Sequence, residues 1–503
     1  MHNFKRQERY WKNFTGYGLG IADQKGVLMK KNRSTRSRSL FLKLPAVLII
    51  VLLLQGWSAK PAPAVAFPLH LSPDGRYLTD QHHVPFLIRE ISAWGLIQAL
   101  SEKQESAFID SVSEKGFNTL LVNLISFDTR FAGHPPDWQG IPPFSRKWDF
   151  STYNPAYFDH ADRFLQMAAR KGMLVLLVPC YLGYKGDKNQ GWWDELLSPE
   201  NSPRKSFLYG EYLGKRYRDF TNIIWVAGGD NNGEGPLFIH MNNIISGIRK
   251  WDKHHLWTGH FDSSPGTNWS TGNPLYAKYM DLDGLYDFTE SSLGNAAPQY
   301  KTELMRYLRG KMIFQLDQSY EHDIPHVADN ENHQWIRRKN YDGLLSGCAG
   351  TSFSPGRRGN QCYTFLHWRP LMNTQGMKEM AYCFRVFRSR PWYRLVPDTS
   401  HDLIKHGRGV YGSLDYVCAA GTPGGDTYMA YLPRSRTVTM DLSHLSKTSV
   451  RAWWYNPRDG HATMIGVIRT DRLHNFTPKS EGDWLLVLDK SSLNLPVPGF
   501  QSE

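Results

Sequence analysis

Short runs of apolar and β-branched residues alternate along this chain with longer stretches whose apolar positions recur every three or four residues. The strand-like runs are Phe86 to Ile91, Thr119 to Leu124, Met173 to Pro179, Asn222 to Ala227, His255 to His260, Gly284 to Phe288, Met312 to Asp317 and Leu345 to Ser352. Runs this short and continuous read as strands buried on both faces, as in a parallel sheet. Between them, Tyr157 to Lys171 puts Phe158, Ala161, Phe164, Leu165 and Ala168 on one helical face before Gly172 stops it, and Glu211 to Asp219 and Glu303 to Leu308 fill equivalent gaps. Eight strands in that rhythm predict an α/β fold, a closed (β/α)8 TIM barrel. Ahead of it, Leu69 to Pro85 with its turn at Ser72-Pro73-Asp74-Gly75 predicts a hairpin closing the bottom of the barrel.

Near Arg390-Pro391-Trp392 the pattern changes. Only short alternating segments follow: Gly409 to Tyr411, Asp415 to Ala419, Thr427 to Leu432, Thr437 to Asp441, Val450 to Tyr455 and Trp484 to Leu488. They predict a small C-terminal β-sandwich. The expected limits are 1–66 for a leader, 67–398 for the barrel with its hairpin, and 399–503 for the sandwich as an accessory domain.

The net charge of +12 would suggest nucleic acid or an anionic surface, but its distribution argues otherwise. Residues 1–66 hold 12 Lys and Arg against Glu8 and Asp23, which leaves only +2 on the remainder. The basicity therefore belongs to the leader, and no nucleic-acid partner is called for. Within it, Lys30, Lys31, Arg33, Arg36, Arg38 and Lys43 precede an apolar run from Leu44 to Leu54, and Ala64-Val65-Ala66 fits a cleavage site. The run is short for a membrane span. Export with a mature start near Phe67, to a secreted, periplasmic or cell-surface location without a stable membrane span, is the expectation. The five cysteines show no ligand spacing for a structural zinc, and a Cys348–Cys362 pairing is left open.

Two of the predicted strands end in an acid. Asn222 to Ala227 runs through Gly228-Gly229 into Asp230, and Lys311 to Leu316 runs into Asp317, followed by Gln318-Ser319-Tyr320-Glu321. Carboxylates at the C-terminal rim of a barrel, with aromatic residues around them, are the minimum for cleaving a glycosidic bond. The alternative is that both acids only cap helices. Trp94, Tyr181, Trp192 and Trp193 follow strand ends and suit stacking on sugar rings, the loop setting of Trp192 and Trp193 between Gly191 and Asp194 favouring a subsite. His260, at another strand end, is placed to hydrogen-bond the sugar or tune Asp230, or is structural. Trp225, inside its strand, reads as packing.

The chain resembles the apiosidase-like glycoside hydrolases, a (β/α)8 family whose members commonly carry a C-terminal β-sandwich labelled as collagen-binding. The resemblance rests on Ala93-Trp94, Gly116-Phe117-Asn118, Tyr157-Phe158-Asp159, Gly210-Glu211-Tyr212, Asn222 to Asp230, Thr258 with His260, Tyr320-Glu321, Tyr341 with Leu344 to Gly350, Arg390-Pro391-Trp392 and Trp454 to Arg458. It implies that Asp230 is the general acid/base and that Asp317 stands at the nucleophile position, where the family has Glu. Asp230 then needs a raised pKa, expected from burial and the neighbouring carboxylate. The shorter Asp317 leaves either a retaining or an inverting geometry open. Ile91-Ser92-Ala93-Trp94 stands where the family has Asp-Thr-Ala-Trp, and Thr289-Glu290-Ser291-Ser292 also departs. Glu290 is a candidate replacement carboxylate, and Glu321 either binds sugar hydroxyls or braces Tyr320 and arginines.

Two classes of function follow. One is an exported glycoside hydrolase using Asp230 and Asp317, with Trp94, Tyr181, Trp192, Trp193, His260, Glu290, Tyr320 and Glu321 around the substrate, and no metal or organic cofactor. The resemblance implies apiose removal from plant pectin, with another plant or microbial glycan as the alternative. The other is a carbohydrate-binding or cell-surface scaffold without turnover, suggested by Asp317 in place of Glu. Matrix adhesion by the sandwich is a further alternative.

Overall fold

The structure is a computed structural model that describes residues 65–500 except 126–136, 184–189, 263–267, 289–297, 319, 323–328, 358–359, 362–364, 366, 444 and 446–448. The leader, apart from its last two residues, Glu290 and Cys362 lie outside the described residues. Among the described residues no helix is long and apolar enough to cross a membrane.

Eight strands form the barrel: β1 (Ile88–Ser92), β2 (Thr119–Asn123), β3 (Leu174–Val178), β4 (Ile223–Gly228), β5 (Trp257–His260), β6 (Asp283–Asp287), β7 (Ile313–Gln318) and β8 (Gly350–Phe353). All their ladders are parallel, running β8-β1-β2-β3-β4-β5 in one sheet and β6-β7 in another. Backbone bonds bridge the two gaps. Asp281 N–H and Leu282 N–H both donate to Trp257 O (2.9 and 3.1 Å), and Ala349 N–H donates to Ile313 O (2.8 Å).

Period-two alternation explains why these strands are apolar throughout. In β3, Leu174, Leu176 and Val178 point into the barrel with Ile224 and Val226 of β4. Val175, Leu177, Ile223, Trp225 and Ala227 point the other way, into the layer beneath the helices. Trp225 is indeed packing: its ring stacks on Trp257, and its Nε1–H donates to Asp252 (2.7 Å). Leu78 and Phe86 of the N-terminal antiparallel strands, with Leu69 just ahead of them, join the inner cluster and plug one end of the barrel.

The longer helices among the described residues are α1 (Glu102–Ser113), α2 (Pro155–Arg170), α3 (Pro203–Tyr217), α4 (Pro236–Trp251), α5 (Tyr300–Leu308), α6 (Asp329–Leu345) and α7 (Gln375–Arg388). Proline at the first turn of α2, α3 and α4 costs no hydrogen bond, because the first amides of a helix have no partner inside it. Between β5 and β6 the described chain forms only the 3-10 turns Ser270–Gly272 and Ala277–Tyr279. The predicted strand at Leu345 to Ser352 begins later, since Leu345 ends α6 and Gly347, with φ +99°, makes the turn.

Beyond the barrel, six strands pair in the order Val396–Pro397, Cys418–Gly421, Thr427–Leu432, Trp484–Lys490, Ser449–Tyr455, Ala462–Arg469. A three-stranded sheet of Ile404–His406, Val438–Asp441 and Leu473–Phe476 covers one face. Tyr428, Ala430, Leu432, Leu486 and Leu488 fill the space between the two sheets. Their neighbours Met429, Tyr431, Leu485 and Val487 face the opposite way, against Tyr341, Leu344, Val386 and Phe387 of α6 and α7. Arg337 crosses that boundary to Asp483, with Nε and Nη2 both at 2.8 Å. The expected segment Gly409 to Tyr411 is a turn between two positive-φ glycines, and the strand lies earlier, at Ile404–His406.

Candidate active site

Asp230 follows β4 in a left-handed turn that glycine favours and aspartate tolerates. Gly228, Gly229 and Asp230 all have positive φ, at 91°, 105° and 54°. A Cβ on Gly229 would sit 2.3 Å from a Tyr181 ring carbon, so the glycine lets that ring lie against the backbone. The turn is tied to β5: Gly229 N–H donates to His260 O at 2.5 Å, and Asp230 N–H donates to His260 Nδ1 at 3.2 Å. The Asp230 carboxylate accepts the Tyr181 hydroxyl on Oδ2 and the Tyr286 hydroxyl on Oδ1.

Asp317 reaches the site through a bulge. In β7, Phe314 and Leu316 face the barrel interior, while Gln315 faces outward and donates to Glu303 of α5 at 2.7 Å. Strict alternation would send Asp317 outward as well. The register against β6 instead slips between Gln315 and Asp317, so that Asp317 pairs with Tyr286 and its side chain turns inward. There Oδ1 accepts from Ser92 Oγ (3.3 Å) and Gln318 N–H (3.0 Å), and Oδ2 accepts from Tyr320 OH (3.0 Å) and faces His260 Nε2 (3.1 Å).

His260 therefore joins the two acids. Its Nδ1 accepts the Asp230 amide, which leaves the proton on Nε2 to be donated to Asp317; this tautomer is assigned from the network. The Asp230 carboxylate itself lies 3.9 Å from Nδ1, so both acids border the same ring. The ring is fully buried, stacked on Tyr286 at 3.8 Å and edge-on to Trp94 at 4.9 Å.

The burial expected at Asp230 falls instead on Asp317, whose side chain is 3 % exposed against 17 % for Asp230. Burial pushes the Asp317 carboxyl upward, the His260 and Tyr320 hydrogen bonds partly oppose this, and the nearby Asp230 charge adds to it. Burial and the same two acids raise the Tyr286 phenol well above its ordinary value, which keeps it a hydrogen-bond donor. Glu90 of β1 is fully buried beside Asp317, and burial followed by that charge holds its carboxyl well above the usual range.

Asp230, Asp317, His260, Trp94, Tyr181 and Tyr320 come together in one cluster. Trp94 is almost fully buried, with its Nε1–H donated to Tyr320 OH at 3.2 Å, so it forms the floor of the site. Trp192 departs from its expected role as a sugar platform. It is wholly buried, edge-on to Phe144 and Phe150, because Trp192 N–H and Trp193 N–H are held by Tyr181 O and Leu182 O and turn the loop into the core. Trp193 is half-buried against the same cluster. Glu321 braces backbone: Gly376 N–H and Gly356 N–H donate to it at 2.8 and 3.2 Å, and its side chain is wholly buried.

Tyr286, Phe288 and Ser92 were not singled out from sequence as site residues. Tyr286 and Phe288 are half-buried, and Phe288 sits edge-on between Tyr286 and Tyr320. Their signal was available, since Phe288 ends the predicted strand Gly284 to Phe288 and Tyr286 stands two residues before it, toward the same rim as the acids. Ser92, in the segment that departs from Asp-Thr-Ala-Trp, supplies a polar contact to Asp317 at the first strand end.

Comparison with known proteins matches residues 72–394 to the family described as "Apiosidase-like, catalytic domain" and residues 396–489 to "Putative collagen-binding domain of a collagenase". No curated protein matches. Among solved structures, one described as a glycoside hydrolase is similar at 22 % identity and a TM-score of 0.69, over 85 % of this chain and 97 % of that one. A glycoside hydrolase family 5 structure from Bacteroides vulgatus ATCC 8482 is similar at 22 % identity and a TM-score of 0.70, over 87 % and 96 %.

Proposed function

We propose that this chain, which belongs to the apiosidase-like family of glycoside hydrolases, cleaves its carbohydrate by a retaining mechanism shared between Asp230 and Asp317. Asp230, the more exposed acid at the mouth, protonates the glycosidic oxygen as the bond to the anomeric carbon breaks. Asp317 attacks that carbon and forms a glycosyl ester. Asp230 then takes a proton from water, the water oxygen displaces Asp317, and the sugar leaves with its configuration retained. His260 and Tyr320 hold the attacking carboxylate, and the partly exposed rings of Tyr286, Phe288 and Tyr320 offer stacking surface.

The observation that carries this reading is that both acids meet at His260, with Asp317 Oδ2 3.1 Å from Nε2 and Asp230 Oδ1 3.9 Å from Nδ1, so that they line one site. Asp317 is held on both oxygens, by Ser92 and Gln318 on one and by Tyr320 on the other, as an attacking carboxylate must be. We further propose export, on the strength of the basic and apolar leader, and a plant or microbial polysaccharide as substrate.

The test is release of reducing sugar from a polysaccharide panel, with Asp230→Asn and Asp317→Asn beside the wild-type chain. Each substitution is expected to lower turnover by about 10²–10⁴-fold. NMR of the first-formed product should show the substrate's own anomeric configuration. An inverted product would reassign Asp317 as a base, and glycan binding without release would leave a scaffold.

A further inference from the structure

We infer that the chain carries a site for one divalent transition-metal ion of the zinc class, made by Glu321, His322 and His333. One ligand atom from each of these three lies within 4.8 Å of the others, and the closest pair, His333 Nε2 and Glu321 Oε1, is 3.2 Å apart. Two ligands on a tetrahedral zinc ion, at its usual bond lengths, are about 3.4 Å apart. Two imidazoles and one carboxylate suit zinc and its first-row neighbours rather than calcium or magnesium, which prefer all-oxygen shells.

The site is built rather than incidental. Glu321 is wholly buried, and the Gly356 and Gly376 amides both donate to its carboxylate and fix its position. A Cβ on Gly376 would sit 2.7 Å from Oε1, so glycine permits that approach. His322 has φ +58°, and its amide is held by Asn332 Oδ1 at 3.0 Å, one residue before His333. The two imidazole rings lie 5.4 Å apart. Cysteine spacing could not reveal such a site, because its ligands are an adjacent Glu-His pair and one histidine from the first turns of α6.

A bound ion would rivet the turn that carries Tyr320, the hydroxyl donor to Asp317, to α6, and through Glu321 to α7. The competing reading is an ion pair of His333 with Glu321 and no metal. The test titrates zinc chloride, and separately cobalt(II) chloride, into the untagged full chain after chelator treatment. The expected result is one ion per chain, cobalt(II) ligand-field absorption in the visible, and a higher melting temperature with zinc. His322→Gln and His333→Gln should each weaken binding by about 10-fold or more, while Asp230→Asn binds as the wild type does. Should His333→Gln fail to fold, His322→Gln decides alone, because it leaves the Glu321–His333 pair in place. No stoichiometric ion in the wild-type chain, or an ion that the foldable histidine variants retain at full affinity, would overturn the site.

Discussion

His260 Nε2 lies 3.1 Å from Asp317 Oδ2, and the other nitrogen of the same ring accepts the backbone amide of Asp230. The imidazole is thus fixed in its tautomer by one strand end and spends its proton on another. His260→Ala should cost about 1.5–3 kcal/mol of transition-state stabilisation, roughly 10- to 150-fold in kcat/KM. The His260 bond holds the Asp317 carboxyl down against burial, so its loss should move the acidic limb of the pH–rate profile to higher pH. A lower rate with an unmoved limb would mean that His260 only packs.

Gly229→Ala tests the turn. The added Cβ would meet the Tyr181 ring at 2.3 Å, at a φ of +105° that alanine rarely adopts. Displacing Tyr181 moves one of the two hydroxyls on Asp230, and a shift of about 1 Å in a catalytic group can cost 10²-fold in rate. The variant should melt lower and lose at least that order of activity toward whichever glycan the wild-type chain cleaves.

Glu90→Gln should stabilise the protein, and by an amount that depends on pH. Burial and the Asp317 charge raise the folded-state carboxyl of Glu90, so between its unfolded and folded values the native state holds a proton that the unfolded chain has lost. The stability this group contributes is complete below about pH 4.3, the unfolded glutamate value, and is lost as pH rises through the folded one. Melting curves of variant and wild type should therefore lie closest in acid and separate as pH increases. A gap that shrinks with rising pH would contradict the assignment.

Arg337→Ala removes a guanidinium whose side chain is 5 % exposed, placed between Asp483 of the sandwich and Glu379 of α7. Breaking a buried pair from one side typically costs about 3–5 kcal/mol, because the abandoned charge stays buried. Thermal melting should fall accordingly, with barrel and sandwich signals falling together. Separate transitions would show that the two parts are held independently.

The barrel could be read from sequence because each strand obeys the rule for sheets covered on both sides. Val175 and Leu176 must both be apolar, whichever way each points. That rule weakens for Ala462–Arg469 and Leu473–Phe476, which were not recognised as strands. The first lies at the outer edge of its sheet, with Met464, Ile465 and Val467 exposed, and Gly466 interrupts it. Asp230 and Asp317 were legible as acids at strand ends. The inward turn of Asp317 was not, because a bulge is a relation between two strands and leaves no periodic mark in one. Trp192 was misjudged for a related reason: a loop position with flanking glycine and acid says nothing about which way the loop folds back.

The six-stranded sheet of the sandwich has no free face toward the barrel. Tandem modules on flexible tethers find their targets by diffusion within a volume set by linker length. Here Met429, Tyr431 and Val487 are part of the same packing as α6 and α7, so the two ends of the molecule keep a constant offset. Any polymer gripped by the sandwich would meet Asp230 and Asp317 at one set distance along its length, as a workpiece meets a blade behind a fence.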